Sequence, residues 1–317
     1  MIGRASIRHP DASLVIPCHT QRRWDSLVAA VASVRPEGAA EIIVVVDHNP
    51  ALLQRVREEL TGVTVLANRF RPGASGARNT GALFAVTPLV AFLDGDARVR
   101  PGWLGRLIAP FADPSVVGTG GAIRPDWERT PPRWFPDEFL WTVGGSYPGL
   151  PTRVAPVRNV WSANMAVRRD SFRSVDGFRD GFGKLGDRAR PEDTDLCLRL
   201  GRTGGRWMYV PDALVDHPVE AERGRFGFFL RRCFHEGRGK IQMARLLPGQ
   251  RSLASERDYL RRTVPHAVLT GLSRSLRGGG AAPAARAGAV LAGVAAAAAG
   301  SVLETLAVRR SVAGAPR

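Results

Sequence analysis

Apolar and polar positions alternate along this chain in blocks that predict strands and helices in turn. Ser13-Leu14-Val15-Ile16 is an apolar run stopped by Pro17, and Glu41-Ile42-Ile43-Val44-Val45-Val46 is a second that ends at Asp47. Val63-Thr64-Val65-Leu66 and Leu89-Val90-Ala91-Phe92-Leu93 are a third and a fourth. Short apolar runs of this kind, several rich in β-branched residues, read as buried strands of a parallel sheet. Between them the apolar positions take helical spacing. Trp24, Leu27, Val28, Val31 and Val34 mark a helix over 24–34, residues 52–60 a helix with a polar face, and residues 77–85 another after a turn at 71–76. Pro101, at a first helical position, opens a further helix over 102–111. Strands alternating with helices at these intervals predict a parallel, Rossmann-like sheet.

After Val116 the pattern changes. Residues 116–123 read as a strand leading into a loop, and residues 125–156 are rich in Pro and Trp with little periodicity. A loop that long is usually functional or disordered, and Trp127, Trp134, Phe135, Phe139 and Trp141 argue against disorder. A strand over 160–167, a helix over 191–201 that opens acidic, and a short strand over 207–210 follow. Residues 226–247 read as an apolar, arginine-rich helix interrupted near Gly237 and Gly239, and residues 278–300 are biased to Gly and Ala. There is no internal repeat.

Composition changes this picture in one respect. The 317 residues, 44% hydrophobic and 23% charged, are ordinary for one large or two small globular domains. The net charge of +16 is not evenly spread: residues 222–317 hold 17 Arg and Lys against five Asp and Glu. The chain thus divides into an ordinary domain over 1–221 and a basic, mostly helical extension over 222–317. Such a surface favours phosphates, anionic lipid or nucleic acid. Phe226, Phe228, Phe229, Leu230, Phe234 and Ile241, set among arginines, suit an interfacial helix on anionic lipid; the alternative is that this side packs on protein. Ala287 to Leu303 carries no charge but falls short of the roughly 20 apolar residues a span needs, so it reads as a surface-bound or packed helix. No long apolar stretch precedes Pro10, and Cys18, Cys197 and Cys233 show no metal-ligand spacing and suit buried, reduced thiols.

The candidate chemistry sits at strand ends. Asp94 and Asp96 follow the fourth run, and carboxylates at positions i and i+2 of an extended segment face one side and repel. A polar turn accounts for such a pair taken alone. A divalent cation also removes the conflict, and hard oxygen ligands suit Mg²⁺ or Mn²⁺, which usually arrive with substrate phosphates. Asp47, Glu192-Asp193 and His217 also follow strands, and Gly73-Ala74-Ser75-Gly76-Ala77-Arg78-Asn79-Thr80-Gly81 lies between the first of them and Asp94.

In order and spacing these segments resemble the inverting family 2 glycosyltransferases of GT-A fold. The matching residues are Val15-Ile16-Pro17, Val45-Val46-Asp47, Gly76 to Gly81, Phe92 to Asp96, Asn164 to Arg169, Gly177-Phe178, Glu192 to Leu196 and Asp216-His217, over roughly residues 12–220. The resemblance implies an α/β fold, a Rossmann-like mixed sheet flanked by helices. It implies a nucleotide-diphosphate sugar donor and transfer with inversion. Asp47 resembles the acid that accepts from the nucleobase, and Arg78 the basic residue near base and phosphates. Pro17, His19, Gly76, Asn79 and Gly95 complete the nucleotide-sugar set, with His19 standing where relatives often carry an aromatic. Asp96 would bind the metal directly, Asp94 the ribose or a metal-bound water, and His217 would be a third ligand to Mg²⁺ or Mn²⁺. Asp193 would be the catalytic base with Glu192 second, while Trp161 and Asn164 border sugar and acceptor. Acids favoured by a helix N-terminus are the alternative for Glu192 and Asp193.

The expected partners are a nucleotide-diphosphate sugar, a glycan or lipid-linked acceptor and an anionic membrane surface, with no nucleic acid beyond the nucleotide. The expected location is cytoplasmic, peripheral at the inner face of the cell membrane, in envelope glycan, polysaccharide or glycolipid synthesis. Other readings fare less well. A haloacid-dehalogenase phosphatase also has Asp-x-Asp after a strand, but wants Thr or Val where Arg98 stands and places the motif near the N-terminus. A basic nucleic-acid or membrane-binding protein explains the tail and none of the ordered acids. An inactive domain of the same fold, binding a nucleotide sugar or a membrane surface, accounts for both.

Overall fold

The structure, a computed structural model, describes residues 9–180, 182–185, 188–246 and 259–313. The first eight residues, where no leader was read, lie outside it, as does the last position of the helix read over 226–247. The chain divides into two compact units: the stretch up to Arg124 with Pro151–Asp187 and Pro191–His217, and Pro125–Leu150 with Arg188–Arg190 and Pro218–Arg317. The second unit is thus larger than the extension that charge marks out.

In the first unit the four apolar runs form β1 (His9–Cys18), β2 (Ala39–Val46), β3 (Thr64–Ala67) and β4 (Leu89–Leu93), all parallel in the order β3-β2-β1-β4. Helices α1 (Trp24–Val34), α2 (Pro50–Glu59) and α3 (Ala74–Phe84) connect them. Asn49 caps α2 by accepting from the Leu52 N–H at 3.0 Å, with Pro50 in the first turn. Alternate strand residues feed two cores. Leu14, Ile16, Val44, Val46, Ala91 and Leu93 bury with α1 and α2, whereas Val15, Ile43, Val45, Val90 and Phe92 bury with α3.

Beyond β4 come β5 (Arg98–Val99), α4 (Trp103–Ile108), β6 (Val116–Trp127), β7 (Ala155–Val157), β8 (Asn164–Arg168) and α5 (Arg169–Ser174). The short β9 (Gly183–Leu185) and β10 (Arg188–Arg190), then α6 (Glu192–Arg202) and β11 (Arg206–Val219), complete this stretch. The sheet runs β3-β2-β1-β4-β8-β6-β11-β5, with β7 on β11. Strand β8 is antiparallel to both β4 and β6, so the sheet is mixed, as the family resemblance implies, and the parallel reading of the apolar runs holds for the first four strands. An apolar run reports burial on both faces but not the direction of its neighbour. Strand β11 is also far longer than the expected 207–210. Pro211 and Asp212 interrupt the apolar run, but pairing with β7 at Trp207 and with β5 at Val215 carries the strand past them.

In the second unit the irregular, aromatic-rich segment is a core. Trp134, Phe135 and Phe139 pack on Phe229 of α7 (Phe226–Leu246), with ring centroids 5.5, 5.8 and 5.3 Å away. Phe229 is fully buried and Phe228 and Leu230 partly so, so this part of the apolar side of α7 packs on protein, the alternative given above. Helix α7 also runs unbroken through Gly237 and Gly239. Beyond it lie α8 (Val264–Arg274) and α9 (Ala281–Ala313). A Cβ at Gly237 would stand 1.9 Å from the Ala297 carbonyl, and one at Gly300 2.0 Å from the Phe234 carbonyl. Gly237, which looked like a helix breaker, is where α7 touches α9. Within α9, Ala281–Ala307 is long and apolar enough to cross a membrane, which the charge-free Ala287 to Leu303 alone was not expected to do.

Asn164 shows how tightly the first unit is tied. It is fully buried; its Oδ1 accepts from Trp103 Nε1, and its Nδ2 donates to the carbonyls of Ala122 and Ala213, each at 2.8 Å. Asn164→Ala leaves those partners buried and unpaired and should lower unfolding free energy by about 2–4 kcal/mol. Urea denaturation followed by tryptophan fluorescence measures this; a loss within about 0.5 kcal/mol, the range of ordinary surface changes, would contradict it.

Candidate active site

The first unit gathers its ionisable groups at the carboxyl ends of its strands. Arg78, on α3, is 3% exposed. Its Nη2 donates to Asp94 Oδ1, just past β4, at 2.6 Å, and its Nη1 lies 3.7 Å from Glu192 Oε1 at the start of α6. The guanidinium lies over the Phe178 ring at 5.6 Å from its centroid. Asn79 fixes that ring by donating to the Phe178 carbonyl at 2.7 Å and accepting from its N–H at 2.9 Å. The guanidinium keeps its charge although fully buried, because burial is outweighed by the attraction of Asp94, Asp193 and Glu192.

Two turns after strands supply the rest. Asp96 Oδ2 accepts from Arg23 Nη1 at 2.7 Å, and its Oδ1 lies 3.5 Å from His217 Nε2 on β11. Ligand atoms of Asp94, Asp96 and His217 all lie within 4.8 Å of one another. At β2, Asp47 Oδ1 accepts from Asn68 Nδ2 at 2.6 Å and its Oδ2 from the Gly73 N–H at 2.8 Å. Gly95 has no room for a side chain, since a Cβ would stand 2.7 Å from the Pro17 carbonyl. A Cβ at Gly76 would meet the Arg71 carbonyl at 2.5 Å, so this glycine serves the approach of α3 to the preceding loop.

Glu192 and Asp193 open α6 after Pro191. Burial lifts the Glu192 carboxyl to about 8, with the neighbouring Asp193 adding to the lift and Arg78 opposing it. Burial also raises Asp193, against the pull of Arg78 and two hydrogen bonds from the hydroxyl and N–H of Ser162. A helix start alone would lower both groups, so it does not account for them. Among the described residues, Asp193 Oδ1, Arg78 Nε and Nη1, and His217 Nδ1 are buried without a hydrogen-bond partner. Four such atoms among the site's own side chains are what a site built to receive a polar ligand presents. Two carboxylates and an imidazole within reach of one another fit a divalent cation such as Mg²⁺ or Mn²⁺.

The structure therefore brings together Arg78, Asp94, Asp96, Glu192, Asp193 and His217. Asp47 is held at the end of β2, with β1 between it and β4. His19 is exposed and its carbonyl accepts from Asn49 Nδ2 at 3.0 Å. Trp161 packs partly on the core. The amides of Asn164 and Asn79 bond inside the protein, Asn164 to Trp103 and two backbone carbonyls and Asn79 to the Phe178 backbone. His217 lies within β11 and not after a strand, because that strand extends to Val219. Residues that the sequence did not flag also matter. Arg23 pairs with Asp96, Ser162 with Asp193, and Arg100 and Arg124 both hold Asp216 at 2.7 and 2.8 Å. Only Arg199, four residues after Asp195 and bonded to it at 2.8 Å, left a sequence signal.

Residues 13–176 match the profile of glycosyl transferase family 2. A glucosyl-dolichyl phosphate glucuronosyltransferase of Haloferax volcanii is 31% identical over 244 residues, covering 74% of this chain and 78% of that protein. A pre-mycofactocin glycosyltransferase of Mycobacterium tuberculosis is 32% identical over 216 residues, or 66% of this chain and 43% of that protein. The mannosyltransferase PcManGT of Pyrobaculum calidifontis, solved with GDP-Man and Mn²⁺, shares the fold with a TM-score of 0.54 at 17% identity, over 97% of this chain and 82% of that one.

Two outcomes test this geometry. Asp96→Ala should abolish Mn²⁺ binding in titration calorimetry. Arg23→Gln removes the cation now paired with Asp96 and should tighten binding several-fold; weaker binding would show that Arg23 instead holds Asp96 in place for the ion. The second outcome concerns pH. An acid whose pKa is raised on folding holds its proton more tightly folded than unfolded, so stability falls as pH rises from the ordinary carboxylate range towards about 8. Glu192→Gln removes that loss. In metal-free protein its Tm should exceed the wild-type value by a margin that grows from about pH 5 to about pH 8. A margin constant across this window would contradict the assignment.

Proposed function

This chain belongs to glycosyl transferase family 2, its first unit has the GT-A fold, and on that premise we propose that it transfers a hexose-type sugar from a nucleotide-diphosphate sugar to an acceptor hydroxyl with inversion. The phosphatase reading of Asp94 and Asp96 ends with that membership. The observation that carries the proposal is Asp193, a buried carboxylate with one oxygen left over, linked through Arg78 to the acids that can hold a cation.

The chemistry follows from the residues. When bound, a Mg²⁺ or Mn²⁺ ion held by Asp94, Asp96 and His217 would neutralise the departing diphosphate. Asp47 and Gly95, with Pro17, His19 and Gly76 around them, offer the nucleotide a pocket wall at the ends of β1, β2 and β4. Inversion needs the acceptor oxygen to form its bond to the anomeric carbon as the bond to the diphosphate breaks on the opposite face. The acceptor proton passes to Asp193, whose burial makes it a stronger base than an exposed carboxylate. Ser162 fixes the orientation of that carboxylate, and Arg78 keeps it near Asp94 without collapse of the like charges. Glu192, held by Arg78, is the second candidate base. Trp161 is available to the sugar or acceptor face.

The acceptor class we favour is a lipid-linked or envelope glycan met at the inner face of the cell membrane. The support is the haloarchaeal relative, whose name places its own substrate on a dolichyl phosphate lipid. Asp193→Asn keeps shape and removes basicity, so it should cut turnover by about 10²–10⁴ while leaving donor affinity unchanged. Transfer and donor hydrolysis by the variant, set beside donor binding by thermal shift, provide the test. A large loss in Glu192→Gln with none in Asp193→Asn would move the base by one residue, and no loss in either would end the proposal.

A further inference from the structure

The second unit carries an apolar surface that transferase chemistry does not use. On α9 one face is packed: Ala289, Val290, Gly293, Gly300 and Glu304 are buried. The opposite face is apolar and open. Leu291, Val302 and Leu306 are 55%, 58% and 44% exposed, with exposed Ala295 and Ala298 completing the stripe at helical spacing. On and just past α8, Leu269, Leu272 and Leu276 are 68%, 46% and 89% exposed at positions i, i+3 and i+7. A helix of a water-soluble protein carries polar residues along its open side; these stripes are leucine, valine and alanine.

Charge names the occupant. Residues 259–303 contain five arginines and no carboxylate, and Arg261, Arg262, Arg274, Arg277 and Arg286 are all exposed. Apolar stripes in a segment whose exposed charges are all arginine match the acyl boundary and headgroups of an anionic leaflet.

The packing of α9 decides how deep it goes. Gly293 meets Phe229, Ala297 meets Gly237, and Glu304 accepts from Arg238 Nε and Gln242 Nε2, both at 2.8 Å. The contacts advance together along both helices, so α9 runs beside α7 in the same direction. Over that length α7 carries Arg231, Arg232, Glu236, Arg238 and Lys240. A spanning α9 would carry those charges into hydrocarbon, where charged side chains are costly. Glu304 would go with them.

We propose that α8 and α9 form an in-plane membrane anchor, which lays the apolar stripes of α8 and α9 into one anionic leaflet while α7 stays on the protein side. This deepens the membrane location proposed above, rests on it, and moves the lipid contact from α7 to α8 and α9.

The test uses the full-length chain and vesicles of phosphatidylglycerol with phosphatidylcholine, or of phosphatidylcholine alone. Wild-type protein should float with the anionic vesicles and at least tenfold less with the neutral ones. The triple variants L269S/L272S/L276S and L291S/V302S/L306S should stay unbound at unchanged donor hydrolysis, which separates failure of the anchor from failure of the transferase reading. Spin labels at Leu291, Ala295, Ala298 and Val302, each changed to Cys in otherwise intact protein, read depth even if the serine variants unfold. In-plane binding gives all of them one shallow depth. A depth that changes steadily along the series would show a span and overturn the proposal. Flotation of the serine variants equal to wild type would do the same, as would dimers in light scattering that the variants dissociate without any vesicle binding.

Discussion

One buried cation organises the first unit. Arg78 is nearly inaccessible, yet it stays charged because Asp94, Glu192 and Asp193 surround it. Without it, Glu192 and Asp193 at the start of α6 would face Asp94 with no counter-charge, and burial would keep that pair protonated. With it, the acid that can reach a cation and the acid that can take a proton are held in one network. The Phe178 ring beneath the guanidinium, fixed by Asn79, limits where it can move.

The arrangement is deliberately incomplete. Asp193, Arg78 and His217 each keep a buried polar atom without a partner, and Asp96 borrows Arg23 as its counter-charge. Buried groups left unpaired cost stability, so a fold that keeps four among so few side chains holds them for something that comes and goes. Phosphate oxygens can accept from Arg78, and a hydroxyl can donate to Asp193. Asp195 is the contrast in the same helix: fully buried, but closed by Arg179 and Arg199, it is a structural acid.

Sequence alone placed the first four strands and the acids at their ends, because a buried strand is written as an apolar run and its terminus as a sudden polar residue. It also ordered the glycine-rich turn, Arg78, Asp94, Asp96, Glu192, Asp193 and His217 into one family pattern. It did not show strand direction, which neighbours decide, nor the full length of β11, whose pairing overrides Pro211 and Asp212. The internal hydrogen bonds of Asn79 and Asn164 were not legible, because a polar residue beside a motif looks the same in sequence whatever its amide meets. Arg23 was invisible, since nothing local ties residue 23 to residue 96. In the second unit, Gly237 and Gly239 look like breaks in a single helix. Gly237 makes sense only once α9 is seen against it.

The central claim is that Asp193 takes the acceptor proton in a single displacement. The most direct measurement is the anomeric configuration of the first product, followed by proton NMR from an α-linked nucleotide-diphosphate sugar before the product can equilibrate. The account predicts a β-linked product. An α-linked product would require two displacements or a front-side attack, and would contradict it.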